Sequence, residues 1–264
     1  MRFRRLFLLG VFVPFTLISA QTRLTSAPIG TADIRARIEA ARDAAIAAGA
    51  QDILPVRLGL VDEEAASMQE KYTSGDYDAS VAGTVLNRYV ALKTILEAYN
   101  LKQEADDNRF ISHDSANYDA GIRAGNNAMN FFDAASLDDA VKSAEDAVGS
   151  FSKVLNKGWA GYAEEQSGQA QSWRQSALDV RAHVAMRDIF QNADKTFNEA
   201  FASLRAEEHR DAAGLFDKAI TLFRQSRDGA VEKRVRAEEA IRKAEQAVSR
   251  NEAAKTARET AKEE

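Results

Sequence analysis

Apolar residues recur along this chain at intervals of three and four, with polar residues between them. Leu58, Val61, Ala65, Met68 and Tyr72 form one such stripe, and residues at this spacing share one face of an α-helix. Strand-like alternation between turn residues is absent from the sequence. Stripes of this kind predict helices at 31–49, 55–72, 77–105, after 117, after 136, 161–205, 209–226 and 230–250.

Proline supports the same interpretation, because none occurs after Pro55. An α-helix interior tolerates proline least of all residues, and the remaining chain is rich in strong helix formers. The predicted fold class is therefore all-α, with long helices forming an elongated array or a bundle. Pro55 itself suits the first turn of a helix, and Gly49 suits the end of the helix before it.

Polar interruptions divide this helical chain. We predict a turn at 73–76, a linker at 106–117 and a break at 157–161, each rich in glycine, aspartate or asparagine. Ser136 and Asp139 are spaced like a capping box at a helix start. These breaks predict helical units at about 32–106, 114–180 and 181–250.

The first twenty residues have the pattern of a cleavable signal peptide. Arg2, Arg4 and Arg5 precede a mainly apolar stretch from Leu6 to Ala20, which is shorter than the ~20 residues that span a bilayer. An uncleaved anchor is the alternative. The pattern predicts a periplasmic or otherwise exported protein, with a short linker at 21–31.

The amino-acid composition excludes several kinds of chemical site. The chain has no cysteine, which excludes disulfides, thiolate metal sites and a lipid-modified cysteine. Without the three leader arginines, 32 basic and 40 acidic residues leave a net charge of −8, so we expect no nucleic-acid partner. No zinc, calcium, phosphate-loop or nucleophile motif is present. We therefore predict no catalytic residues, no metal, no cofactor and no enzymatic activity.

Two segments repeat the same spacing of residues. Around Ala212 the chain has Leu204 eight residues before and Phe216 four residues after; Phe132 and Ala144 flank Ala140 in the same way. A third copy is centred on Ala79, seven residues after Tyr72. The matching residues are Leu204, Ala212, Phe216, Ala219 and Ile220; Phe132, Ala140, Ala144, Ala147 and Val148; and Tyr72, Ala79, Gly83 and Leu86.

These segments, with Gly75-Asp76-Tyr77 as a turn, resemble tetratricopeptide repeats, of the alanine-rich type found in exported spirochaete envelope proteins. The anchor alanines are 61 and 72 residues apart, whereas that family repeats every ~34 residues. The resemblance implies stacked helical hairpins that bind other proteins. Any antiparallel helix pair with small residues at its contact is the alternative origin of the pattern.

Trp159, Tyr162 and Trp173 are the candidate partner-binding residues, because both tryptophans of the chain lie in one segment and aromatic side chains are favoured at interfaces. Packing between repeats is the alternative. After Val231 the chain mixes nine basic with eight acidic residues. We predict a helix that docks as far as Val248, then a frayed or disordered end at 251–264.

Three functions follow as hypotheses. The first is a helical-repeat scaffold that binds another envelope protein or peptide and possesses no transmembrane anchor once the signal peptide is cleaved; homo-oligomers are compatible with it. The second is a structural spacer of the envelope or peptidoglycan. The third is a carrier of an apolar small molecule, with a pocket lined by Met68, Met129, Phe131, Phe132 and the tryptophans.

Overall fold

The computed structural model describes residues 31–76 and 78–263, so the predicted signal peptide lies outside the described residues. Within these ranges every regular element is a helix, and the all-α prediction is confirmed. The helices are α1 (Thr31–Ala47), α2 (Ala50–Ile53), α3 (Pro55–Ser74), α4 (Ala79–Asp107), α5 (Ser115–Asp133), α6 (Leu137–Asp179), α7 (Ala182–Ala185), α8 (Arg187–Arg205) and α9 (His209–Glu263), with a 3-10 turn at Phe110–His113. None of these helices is long and apolar enough to cross a membrane.

The helices form three successive hairpins: hairpin 1 (α3–α4), hairpin 2 (α5–α6) and hairpin 3 (α8–α9). The second helix of each hairpin packs against the long helix that precedes the hairpin, so α4 packs on α1, α6 on α4 and α9 on α6. Helices α4 and α6 therefore each complete one hairpin and support the next. We call the contact of hairpin 2 with α4 junction 2, and that of hairpin 3 with α6 junction 3.

Left-handed residues end the helices in a recurring pattern. Residues of the first set precede α2, the 3-10 turn and α7, and residues of the second set join the two helices of each hairpin. In both sets successive members are 60 and then 72 residues apart, so positions in the three hairpins correspond along the chain. The first set is Gly49, Arg109 and Arg181, and the second is Gly75, Ala135 and Glu207.

Burial follows the same correspondence. Ala45, Ala105 and Ala177 lie 60 and 72 residues apart and are all fully buried, as small residues at a close helix contact should be. Ala140 and Ala212 are likewise fully buried. Ala79 was predicted as the third anchor alanine, and this prediction is wrong because the Ala79 side chain is exposed. The equivalent buried residue in hairpin 1 is Ala82, which is fully buried. The position differs because the loop after Gly75 has three residues before α4 begins, whereas the loop after Ala135 has only one residue before α6 begins.

The predicted break at 157–161 is wrong, because α6 continues through both of its glycines. A Cβ on Gly158 would lie 2.2 Å from Cγ of Phe110, and one on Gly161 would lie 2.9 Å from Cε1 of His113. These glycines therefore allow the 3-10 turn to approach α6 closely, and they do not end the helix.

The predicted continuous helix from 161 to 205 is also wrong. Helix α6 ends at Asp179, and Arg181 adopts a left-handed conformation with φ 58° before the short α7. A left-handed non-glycine residue costs about 1–2 kcal/mol. The turn buries Ala182 completely, and no glycine or proline marks it in the sequence.

The capping box predicted at Ser136 is wrong as well, since the Ser136 side chain makes no capping hydrogen bond. Asp78 and Asp114 are the side-chain caps instead. Their carboxylates accept hydrogen bonds from the backbone N–H groups of Ser80 and Asn117, at the starts of α4 and α5.

Helix α9 continues where two helices were predicted, and the structure keeps it helical to Glu263. Its buried face ends at Ala230, whereas Val235, Ile241 and Val248 are 45%, 59% and 57% exposed. The predicted docking as far as Val248 is therefore wrong. The helix also continues through the part of 251–264 that the structure describes, where we expected a frayed end.

The exposed part of α9 carries charge where α6 carries aromatic rings. Tyr162 and Trp173 lie on the part of α6 that packs against hairpin 3. The residues 72 positions later in α9 are Arg234 and Glu245. Arg234 pairs with Glu238 at 3.6 Å on the same helix, so this face of α9 is charged, and the exposed Ile241 and Val248 lie beside the charges.

Candidate functional site

Trp159 and Tyr162, two of the candidate binding residues, lie side by side on α6. Their ring centroids are 6.0 Å apart, and Trp159 also meets the ring of Phe110 edge-on at 5.1 Å. Trp173 is fourteen residues further along the same helix, which is about 21 Å at 1.5 Å per residue. The structure therefore brings two of the three predicted residues into direct contact, and it places Trp173 about four turns further along α6, against the same apolar cluster.

Charged side chains surround the Trp159 ring. Its indole Nε1 donates a hydrogen bond of 3.0 Å to Oε1 of Glu104 on α4. Arg210 on α9 pairs with the same carboxylate at 3.1 Å, and its guanidinium carbon lies 5.3 Å from the centre of the indole ring. Trp159 thus joins α4, α6 and α9 through one hydrogen-bond and cation–π arrangement.

Tyr162 contacts α9 one turn further along α6. Its hydroxyl donates a hydrogen bond of 3.3 Å to Oδ2 of Asp217. Together with Trp159 it borders a cleft of about 510 Å³ between the end of α4, the 3-10 turn, α6 and α9. The cleft is lined by Asp107, Asn108, Phe110, Trp159, Tyr162, Arg210, Gly214 and Asp217.

Trp173 packs inside junction 3. It contacts the two apolar clusters that contain Phe216 and Phe223, and the guanidinium carbon of Arg224 lies 5.1 Å from its ring centre. This is the packing role that the sequence left as the alternative.

Sequence reasoning missed the charged members of the cleft. Glu104 and Arg210 are 106 residues apart, and Tyr162 and Asp217 are 55 residues apart. No local pattern connects such residues. The only usable signal was the 60- and 72-residue spacing, which requires the helix breaks to be known first.

Ion pairs link the helices at corresponding positions of hairpins 1 and 3. Arg42 binds both carboxylate oxygens of Asp62 at 2.8 and 2.9 Å, and the hydrogen bonds from Arg42 hold the pKa of Asp62 below its usual range. Arg174 pairs with Asp194 at 2.7 Å, also twenty residues apart. Lys102 of α4 and Ile122 of α5 occupy these positions at junction 2, so the pair is missing there.

Asp114 forms a different link in hairpin 2. Its carboxylate pairs with Nζ of Lys157 at 2.6 Å and accepts a hydrogen bond of 2.7 Å from Nδ2 of Asn117. The hydrogen bonds from Lys157 and Asn117 lower the pKa of Asp114 to about 2. The corresponding residues of hairpin 3 are Met186 and Gly229, which are in apolar contact.

The histidines lie apart from one another. His113 packs edge-on against Phe110 at 5.6 Å, and His183 packs against Phe190 at 6.0 Å. His209 begins α9, with its Nδ1 atom buried and without a hydrogen-bond partner. In the described ranges, no three residues of the His, Asp and Glu types form a group that could hold a metal ion.

The residues predicted to line a carrier pocket do not share one. Phe132 is buried in the core, while Phe131 is 37% exposed. Met68 borders a shallow groove beside α4, and Met129 borders a separate cavity in junction 2. The predicted composition of that pocket is therefore wrong.

Comparisons with family models, curated proteins and solved structures found no match to this chain.

Proposed function

We propose that this protein is an exported, non-enzymatic scaffold of helical hairpin repeats, similar to tetratricopeptide proteins, that binds another envelope protein. The observation that carries the proposal is the cleft beside Trp159 and Tyr162, in which two partly buried aromatic rings lie among charged side chains. Aromatic side chains with arginine are the commonest energetic centres of protein interfaces. Recurrent hairpins provide extended surfaces of the kind that such scaffolds use.

The charges of the cleft suit a peptide segment with both polar and apolar groups. Arg210 lies on one side, and Asp107 and Asp217 supply the opposite charge. A partner that stacks on the exposed part of Trp159 would find hydrogen-bond donors and acceptors on both sides. We therefore expect a segment with an aromatic or aliphatic residue between polar residues.

Site-specific photocrosslinking in the source cells tests this proposal. A benzophenone amino acid at Tyr162 should capture one reproducible partner protein from the envelope fraction. The same probe at Gln169, an exposed residue of α6, should not capture it. Equal labelling from both positions, or none from Tyr162, would contradict partner binding at the cleft.

Export is tested independently by sequencing the N-terminus of the protein purified from its source. Cleavage after Ala20 should give Gln21 as the first residue. Recovery of the intact N-terminus would contradict a cleavable signal peptide, and it would leave the binding test unaffected.

A further inference from the structure

Junction 2 contains a cavity of about 540 Å³ that is distinct from the Trp159 cleft. Ile95 and Leu96 of α4 and Phe151 of α6 form its buried walls, and Ile53 and Met129 extend them toward the surface. This volume is within the ~300–1,000 Å³ of typical small-molecule sites, which are also mostly apolar.

A glycine of hairpin 2 leaves part of this cavity empty, at the position where hairpin 3 has a phenylalanine ring. Gly125 borders the cavity, and a Cβ at this position would meet only the Ala147 methyl group, at 4.0 Å. The corresponding residue of hairpin 3, 72 positions later, is Phe197. Its ring lies 6.0 Å from that of Phe223, the counterpart of Phe151.

A second exchange enlarges the same space. Met129, a flexible side chain on the cavity wall, corresponds to Phe201 in hairpin 3, whose ring lies 4.9 Å from that of Phe197. Two phenylalanine rings of junction 3 thus correspond to a glycine and a methionine in junction 2. One buried wall of the cavity, Phe151, consequently corresponds to a residue, Phe223, that packs against a phenyl ring in this same chain.

The mouth of the cavity also lacks the ion pair that bridges junction 3. Arg174 and Asp194 connect α6 with α8 there, whereas Lys102 and Ile122 border the cavity mouth in junction 2. Lys102 turns along α4 to pair with Asp106 at 2.5 Å. No salt bridge therefore connects α4 with α5 across the mouth.

We propose that this cavity is a binding site for a small, uncharged aromatic molecule. Apolar cavities with Leu, Ile and Phe walls bind such ligands. The ammonium of Lys102 is already paired with Asp106, and the carboxylate of Asp52 is exposed at the mouth, so an anion gains no free partner and a cation gains only a solvent-screened one. The amide of Asn126 can hydrogen-bond one polar substituent. This inference does not depend on partner binding at the Trp159 cleft.

Titration of the full chain with toluene tests the proposal, with methyl resonances of methionine and isoleucine as the readout. Toluene should shift the signals of Met129, Ile53 and Ile122 in a saturable way. The signal of Met186, in hairpin 3, should stay unchanged. Absence of saturable shifts at the cavity methyls would overturn the site.

Variants that fill the cavity provide a second test of the proposal. Gly125→Phe rebuilds the ring found at Phe197, and it should abolish the toluene-dependent shifts. Asn127→Phe adds the same ring on the exposed face of α5 and should leave them intact. If Gly125→Phe fails to fold, Met129→Phe replaces it, with the isoleucine signals as readout. Shifts that persist in a folded, filled variant would also overturn the proposal.

A charge series defines the ligand class. Benzyl alcohol should bind, whereas benzoate and benzylamine should bind at least roughly tenfold more weakly, because each would bring a charge into a site whose buried walls offer it no partner. Equal binding of the three compounds would contradict the assignment to uncharged ligands.

Discussion

Junctions 2 and 3 use the same backbone path with different side chains. In junction 2 the bulky Phe110 lies over Gly158, whereas in junction 3 the corresponding contact is Ala182 with Ala230. At the first contact a ring lies against a residue without a side chain, and at the second both residues have only a methyl group, so a bulky residue is accommodated where its partner is glycine. Close-packed protein interiors require such adjustment of neighbouring side chains.

Other position pairs change their chemistry but keep their contact. Asp114 and Lys157 form an ion pair in hairpin 2, and their counterparts Met186 and Gly229 are in apolar contact in hairpin 3. The aromatic contact of Tyr118 with Phe151 recurs as Phe190 with Phe223, at ring distances of 5.7 and 5.5 Å. The backbone geometry of a hairpin therefore tolerates either kind of link, provided that both partners change together.

The strongest test of this comparison is the Phe110–Gly158 contact. Phe110→Ala should cost about 4 kcal/mol, because the ring is almost fully buried. Gly158→Ala should cost about 3 kcal/mol in the wild-type background, since the new methyl group overlaps the base of the ring. In the Phe110→Ala background the same change should be stabilising, because it recreates the Ala182–Ala230 contact. Urea unfolding of the four proteins measures these differences.

Gly149→Ala is the matched control for that cycle. Gly149 lies in the same helix with no atom near its Cβ position, so alanine should stabilise the protein by up to about 1 kcal/mol. If Gly158→Ala were stabilising in both backgrounds, the packing argument would be wrong.

A smaller effect is expected at the pair Gly125 and Phe197. Phe197→Ala should destabilise by about 3 kcal/mol, at the low end for phenylalanine because the ring is partly exposed. Gly125→Ala should stabilise by about 0.5 to 1 kcal/mol, because the new methyl group meets only ordinary contacts. Thermal unfolding followed by circular dichroism gives both values. Changes of the same sign would show that the two junctions do not correspond.

The Asp114–Lys157 pair predicts a pH dependence that its counterpart in hairpin 3, the contact of Met186 with Gly229, lacks. The folded-state pKa of Asp114, about 2, is below the ordinary value of 3.8, so its contribution is present above about pH 4 and is lost as the pH falls through 2. Asp114→Asn keeps a good helix cap. It should lower the urea midpoint at pH 7 and have progressively less effect between pH 4 and 2. Met186→Leu should show no such pH trend, and a pH-independent effect of Asp114→Asn would refute the ion-pair assignment.

The smallest effect concerns the Arg174–Asp194 ion pair. A double-mutant cycle with alanine should give a coupling of about 0.5 kcal/mol, as expected for a partly exposed pair. The same cycle on Lys102 and Ile122 should give almost none. Introducing Arg at 102 together with Asp at 122 should restore a coupling similar to that of junction 3. A coupling in wild-type junction 2 as large as that in junction 3 would contradict the proposed open mouth.

Sequence periodicity was sufficient for the fold class, and Gly49, Pro55 and Gly75 marked three helix ends as predicted. Gly158 was misinterpreted because the meaning of a glycine depends on what packs against it, here a ring 48 residues earlier. Arg181 was missed for the opposite reason, since its left-handed conformation is supported by tertiary packing and has no local signal.

The same distinction between local and tertiary signals applies to the candidate site. Trp159 and Tyr162 were selected as candidates because both tryptophans of the chain lie in one segment, together with Tyr162. Glu104 and Arg210, which hold the indole ring in place, were not found because their association exists only once α4 and α9 are packed beside α6. The sequence thus identified the candidate aromatic residues, but it did not identify the residues that contact them in the folded protein.

The charged face of α9 has a consequence for self-assembly. Head-to-tail stacking generates open filaments when an end face matches the next copy. Arg234 and Glu245 lie where Tyr162 and Trp173 receive a hairpin on α6, so a further hairpin of the same type would bury charges at a cost of several kcal/mol per unpaired ion. These two charges therefore oppose end-to-end growth into fibres, and exchanging them for aromatic rings would extend the exposed Ile241 and Val248 into a larger apolar surface.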